Sequence, residues 1–388
     1  MNLLILTHQY DLGNKMPEAT PVVNHFVEGF INSGHDCRVA YIRNQYPLLH
    51  LLHEKIKAWL EGRYDKRIVK IEQACSLGFN GEKIFVRPVN RLFSRRLSNF
   101  RISTLVRETI DWCNSSIWRP DMVLVHWEVP YVSIGRGIAD FYKIPSALVI
   151  HSLDRVYSKL FISEITQYDY IGFRSEALYK KYSSSVESGL RNDLMKKGFI
   201  CSSGVDIPSS IMITDSVKTF LFVGSLIRRK YPVAVAKALN SSDIEYDKLV
   251  YCGKGALMED IKEKSIASKT EITGHVSKEI VFDKMFESDC LIMISQNEAF
   301  GLVYLEAMIR GLIVIASRNE SMDGIIEHGK NGFLCEAGST KELTLLLNHI
   351  NSLPKETVLR IRENARATAL NYTKARMANK YLANVNIS

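Results

Sequence analysis

No run of apolar residues in this chain approaches the roughly 18 that a membrane-spanning helix requires. The opening Leu3–Leu6 is also too short for the core of a signal peptide. Both absences predict a cytoplasmic protein. Paired cysteines are missing too: the seven, at 37, 75, 113, 201, 252, 290 and 335, stand singly, without a C-x-x-C or a cysteine–histidine cluster. That excludes a disulfide framework or structural zinc site and reads them as small buried apolar residues. There is no G-x-x-x-x-G-K-[S/T] phosphate loop, no G-x-S-x-G elbow and no Ser-His-Asp signature to suggest a hydrolase. Repeats of roughly 20–50 residues and low-complexity tracts are also lacking.

What is present is globular. A chain of 388 residues with 46% hydrophobic content exceeds one ordinary core and suits two domains of about 200 residues each. The net charge of +8 is localised, because residues 55–107 hold 13 Lys and Arg against 4 Asp and Glu. With a pI near 9.0, that segment invites a nucleic-acid-binding reading. No helix-turn-helix, zinc or RRM signature accompanies it.

The first half alternates strand and helix in the manner of a doubly wound domain. Strands are expected at Leu3–Thr7, Cys37–Ile42, Asp121–His126, Pro145–Ile150, Tyr168–Phe173 and Phe199–Cys201, and helices at Pro21–Asn32 and Tyr131–Tyr142. A linker rich in Ser and Thr follows, from Asp206 to Ser216. The alternation then restarts at Phe220–Val223, and after Ser339 the chain reads as helix to its end.

Cys290–Ser317 organises the second half. The apolar run Leu291–Ile294 reads as a buried parallel strand, Ser295–Asn297 as a loop, Leu302–Met308 as a helix stopped by Gly311, and Leu312–Ala316 as the next strand. A loop at the carboxyl end of such a strand is where open α/β sheets bind ligands, and the amides of Phe300, Gly301 and Leu302 at the helix start can hold a phosphate. Glu298 and Glu306 bracket those amides, and carboxylates there suit hydroxyls better than phosphate. A ligand carrying both sugar hydroxyls and a diphosphate satisfies both features.

Glu298 and Glu306, with seven residues between them and Phe300-Gly301-Leu302 after the first, resemble the E-x7-E motif of the retaining family 4 glycosyltransferases, which have the two-domain GT-B fold. The similarity continues through Glu306-Ala307-Met308 and Gly324–Leu334. It implies two Rossmann-like domains facing each other across a cleft: an acceptor-side domain over residues 1–205 and a nucleotide-sugar domain over 206–372, with a last helix at about 373–388 returning to the first. In the loop after the first strand, where relatives usually carry a glycine pair, this chain has only Gly13.

The resemblance also assigns site residues. Lys230 matches the phosphate-binding lysine; Ser225 and Tyr231 stand where relatives often carry Arg and Gly, so Arg228 or Arg229 supplies the guanidinium. Gly224 opens that loop, and Gly253-Lys254-Gly255 resembles a Gly-x-Gly turn that lets backbone approach the nucleotide. Glu298 is expected on the sugar and Glu306 on the ribose. His151 is expected to face the donor sugar, with His126 competing for that place, and His275 reads as a surface histidine. No cofactor or metal is implied, because cations and helix amides take the diphosphate.

Together these readings predict a retaining hexosyltransferase using a nucleoside diphosphate sugar and a saccharide acceptor, with a GT-B sugar-nucleotide epimerase as the alternative. Phe93, Leu97 and Phe100 are spaced as one helical face flanked by Arg91, Arg95, Arg96 and Arg101. That pattern predicts a helix lying on an anionic membrane surface beside a lipid-linked acceptor, with the protein peripheral on the inner face.

Overall fold

A computed structural model describes residues 1–12, 20–45, 74–78, 80–90, 97–127, 131–151, 163–211 and 213–387. The described residues divide into two compact units, one holding those up to Gly204 together with those from Lys374 on, the other those of Val205–Thr373.

In the first unit the described elements run β1 (Asn2–Thr7), α1 (Val22–Asn32), β2 (Asp36–Gln45), β3 (Ala74–Leu77), β4 (Lys83–Asn90), α2 (Asn99–Asn114), β5 (Met122–His126), α3 (Tyr131–Tyr142), β6 (Ser146–Ile150), β7 (Tyr170–Phe173), α4 (Glu176–Ser184), α5 (Ser188–Lys197) and β8 (Gly198–Ile200). They form one sheet in the order β3-β4-β2-β1-β5-β6-β7-β8. All its pairings are parallel except that of β3 with β4. The central strands are covered on both faces, so Leu3–Leu6 and Met122–Val125 are apolar without alternation and fully buried.

The second unit contains β9 (Thr219–Val223), α6 (Pro232–Ser241), β10 (Lys248–Cys252), α7 (Met258–Lys264), β11 (Thr270–Gly274), α8 (Lys278–Phe286), β12 (Cys290–Met293), α9 (Leu302–Met308), β13 (Ile313–Ser317), β14 (Phe333–Cys335), α10 (Thr340–Asn351) and α11 (Lys355–Ala369). Its all-parallel sheet has the order β11-β10-β9-β12-β13-β14. Arg362 on α11 is 1% exposed and anchors this unit from behind, donating to Gly311 O (3.0 Å), Ser216 O (2.8 Å) and Asp289 Oδ1 (3.1 Å). Buried guanidinium is tolerated only when so paired.

The last helix, α12 (Lys374–Asn384), packs within the first unit. Gly29 on α1 permits the approach, since a Cβ there would lie 2.2 Å from that of Ala378. Tyr381 then fills the space between Phe26 (5.2 Å between centroids), Phe30 (5.4 Å) and Phe199 (5.6 Å).

The basic segment differs from expectation. It contains β3 and β4, which the charge pattern did not disclose, and the helix expected around Phe93–Phe100 begins only at Asn99, as α2. Ser98 accepts from the Arg101 amide as the N-cap of α2, so Leu97 precedes the helix and is buried while Phe100 lies on it and is 81% exposed. Leu97 and Phe100 therefore do not share a helical face. Phe93, Arg91, Arg95 and Arg96 lie outside the described residues. The six cysteines whose side chains are described are all buried and unbridged, and no described helix is long and apolar enough to cross a membrane.

Candidate functional site

In the second sheet the chain starts at β9, winds outward to β11, then returns to place β12 on the other side of β9. The loops leaving β9 and β12 therefore diverge at the topological switch point, the place where doubly wound sheets bind ligands. Residues 224–231 and 294–301 are those loops.

The β9 loop is held by its neighbour. Gly224 N donates to Cys252 O (2.9 Å), Leu226 N to Lys254 O (2.8 Å) and Leu257 N to Leu226 O (3.1 Å), so the loops after β9 and β10 are zipped backbone to backbone. A Cβ on Gly253 would lie 1.9 Å from Gly224 O, and one on Gly255 2.2 Å from Leu226 O. The Gly-x-Gly turn is thus required by the approach of another loop.

Beyond Gly224 (φ 145°) the chain makes a short 3-10 turn over Arg228–Lys230 and enters α6 through Tyr231 in a left-handed conformation (φ 50°). Glycine takes that conformation without strain; tyrosine is kept there by contacts. Its hydroxyl donates to Gln296 Oε1 (2.9 Å), and its ring lies against Gly338, where a Cβ would come within 2.6 Å of it. Gln296 N also donates to Arg229 O (2.8 Å), which clips the β9 loop to the β12 loop.

That clip brings cations to a carboxylate. Lys230 Nζ lies 3.2 Å from Glu298 Oε2 and Arg229 Nη1 3.9 Å from the same oxygen. The Lys230 and Glu298 side chains are only 14% and 17% exposed, so water screens the pair less than a surface bridge. Arg228 is exposed and has no ion pair among the described residues, leaving Arg229 as the arginine of this cluster. Glu298 N donates to Glu320 Oε2 (3.2 Å), a buried carboxylate that the motif did not reveal.

Past Glu298, Phe300 is buried, and Gly301 (φ 74°) starts α9 without a side-chain cap over Leu302 and the next amides. Tyr304 under the loop donates to Met293 O (2.8 Å). Glu306 meets a different cation, Lys278 Nζ at 3.0 Å, at the start of α8. Arg310 donates to Glu306 O (2.9 Å) and stacks 3.7 Å over the Phe282 ring. His275 is exposed.

The first unit carries a second cluster at its own switch point, where the loops after β1 and β5 meet. His8 and Trp127 lie edge to face with centroids 5.0 Å apart, and His8 stacks on Tyr131 at 5.2 Å. His151, at the end of β6, stacks on Trp127 (3.8 Å, 15°), and its Nε2 is 3.1 Å from Nδ1 of His126. Both histidines are buried. Burial first, and then the Arg174 guanidinium, push His126 down to about 3 and His151 well below the ordinary range, so both are neutral at pH 7. Arg174 is itself buried and donates to Cys201 O (2.7 Å) and to the Ser203 hydroxyl. The expected competition between His126 and His151 is therefore a contact between them. Both end neighbouring parallel strands, a signal available once β5 and β6 are paired.

Residues 207–368 match the family described as glycosyl transferases group 1. An uncharacterized glycosyltransferase of Methanocaldococcus jannaschii is 26% identical over 227 residues, 58% of this chain and 63% of that protein. The N-acetyl-alpha-D-glucosaminyl L-malate synthase of Bacillus anthracis is 30% identical over 133 residues, 33% of this chain and 34% of that protein. The matched stretches thus span less than two thirds of these relatives' own length. Among solved structures, Anabaena Alr3699/HepE in complex with UDP superposes with a TM-score of 0.68 at 15% identity, covering 100% of each chain. The lipopolysaccharide outer core galactosyltransferase WaaB in its apo form gives 0.67 at 18%, covering 100% of this chain and 99% of that one. The chain has the GT-B fold.

Proposed function

We propose that the protein is a retaining glycosyltransferase that moves a hexose from a nucleoside diphosphate sugar to a hydroxyl of a saccharide acceptor. The observation that carries this reading is the juxtaposition of Lys230, Arg229 and Glu298 at the switch point of the second sheet. An anion site alone fits many phosphates, and a carboxylate alone fits many hydroxyls. Joined, they fit a sugar attached to a diphosphate.

In this reading the donor diphosphate takes over Lys230 and Arg229 together with the amides of Gly301 and Leu302. Glu298, released from its cations, accepts hydrogen bonds from the sugar. Glu306 accepts from the ribose hydroxyls, displacing Lys278. His151 hydrogen-bonds a substrate hydroxyl. As the glycosidic bond breaks, negative charge grows on the diphosphate, and cations already in place stabilise that charge more than they stabilise the bound donor. Two side-chain cations can neutralise the leaving group, so transfer is expected to continue in EDTA. A lipid-linked acceptor at a membrane surface, as in cell-surface polysaccharide or glycolipid synthesis, is the reading favoured by the charge of residues 55–107.

Calorimetry with UDP and GDP, followed by product analysis with each sugar donor and candidate acceptors, tests the reading. Saturable diphosphate binding and an α-linked product from an α-linked donor are expected. Conversion of the donor to an epimer without any acceptor would replace transfer with isomerisation, and absence of diphosphate binding would overturn both.

A further inference from the structure

The two buried histidines of the first unit are not equivalent. His126 closes β5 opposite Val149 of β6, so His151 falls two residues further along the neighbouring strand and the rings meet with Nδ1 of His126 3.1 Å from Nε2 of His151. Two neutral imidazoles so placed share one proton, and either could supply it. The surroundings of His126 decide which does. Nε2 of His126 is fully buried and has no hydrogen-bond partner among the described residues. If His151 donated from Nε2, His126 would accept at Nδ1 and have to carry its own proton on Nε2, an orphaned donor. If His126 donates from Nδ1, the orphan is only an unused acceptor lone pair on Nε2. Buried N–H groups without partners are rarer than under-satisfied acceptors, so the second arrangement is preferred. His151 then accepts at Nε2 and must hold its proton on Nδ1.

The ring of His151 is also clamped. Trp127 adopts a left-handed backbone (φ 69°), a conformation that residues with a Cβ rarely take, and thereby lays its indole 3.8 Å from His151 at 15°. On the other side of the pair His126 packs against Phe26 (5.7 Å) and Tyr381 (5.8 Å).

We propose that His126 is a positioning residue that fixes His151 as the tautomer protonated on Nδ1, so that His151 meets substrate as a hydrogen-bond donor to a hydroxyl oxygen. This rests on the reading of His151 as a substrate-binding residue. The hydroxyl that accepts from His151 keeps its own hydrogen for another acceptor, which makes its oxygen and hydrogen separately addressable. His126 acts only through His151.

The test is nitrogen NMR of the full-length protein labelled at histidine nitrogens, together with kinetics of native protein, His126→Asn and His126→Leu. Asparagine retains an N–H near the position of Nδ1, and leucine removes it. The native protein and His126→Asn should show His151 protonated on Nδ1, and His126→Leu a mixture of tautomers. His126→Leu should lower kcat by about tenfold with the donor KM within about twofold, and His126→Asn should recover most of the loss. His151 protonated on Nε2 in the native protein overturns the proposal, whether or not the leucine variant folds. So does a tautomer and a rate unmoved by leucine. If the tautomers are as expected but His151→Ala transfers sugar at the native rate, the substrate-binding role of His151 fails while the pairing stands.

Discussion

The ammonium of Lys230 lies 3.2 Å from the carboxylate of Glu298. Two groups that serve different parts of one donor in the proposed function are each other's counter-ion. Binding therefore exchanges one ion pair for another, and the intramolecular pair competes with the diphosphate for Lys230.

Glu298→Gln should separate binding from transfer. The amide removes the internal competitor, so nucleoside diphosphate affinity is expected to hold or rise, while transfer falls because the sugar loses a charged acceptor. Calorimetry with the diphosphate alone and initial rates with the full donor check both halves. A matched loss of affinity and rate would remove Glu298 from the sugar.

Lys230→Ala should act in the opposite sense. A lost charged hydrogen bond weakens diphosphate binding by roughly 1.5–3 kcal/mol, about ten- to a hundredfold in Kd. Part of that loss comes from Glu298, now without the ammonium that faced it from the neighbouring loop. The double variant with Glu298→Gln should therefore bind more tightly than Lys230→Ala alone. Strict additivity in a double-mutant cycle would mean the two side chains do not interact.

Much of the architecture was legible because buried parallel strands need no alternation: Leu3–Leu6, Cys290–Met293 and Ile313–Ser317 declare themselves as short apolar runs between polar loops. The strands that escaped notice were those without that signature. β4 carries Arg87 and Pro88, β3 borders it as an antiparallel edge, and β14 has three residues. At the site, Lys230, Glu298 and Glu306 stood out by residue type and spacing, whereas their partners did not. Glu320, Gln296 and Lys278 approach through pairing of distant loops, and Tyr231 does its work through a backbone conformation that its side chain alone does not announce. A glycine in that position would have been easier to read.

Gly255→Ala should lower thermal stability although no ligand is involved. A Cβ there meets the backbone of Leu226 at 2.2–2.8 Å, and backbone cannot turn away as a side-chain tip could. Overpacking of this kind costs about 1–3 kcal/mol, and the zipped loop that carries Lys230 should loosen with it. Gly189→Ala is the control. Its Cβ meets nothing within 4 Å in α5, so alanine there should be neutral or stabilising by about 0.4–1 kcal/mol. Melting curves of both variants distinguish a steric demand from a general intolerance of glycine replacement.

Acid should destabilise the protein earlier than carboxylate titration alone allows. His126 and His151 are held neutral in the folded protein, mainly by burial and then by the Arg174 guanidinium, with His126 pushed down to about 3. Unfolded, each titrates near the ordinary value of about 6.5. Below that pH the unfolded chain binds protons that the folded chain refuses, so stability is complete above about 6.5 and declines as pH falls toward the folded values. Each such histidine adds a slope approaching about 1.4 kcal/mol per pH unit in that window. Denaturant unfolding of the native protein from pH 7.5 to 4.5 should show this decline beginning above pH 6. His126→Asn, which keeps a polar group but cannot titrate, should show a shallower one. A native slope no steeper than that of the variant would mean that His126 is protonated in the fold, or reaches water there, and the neutral pair would have to be abandoned.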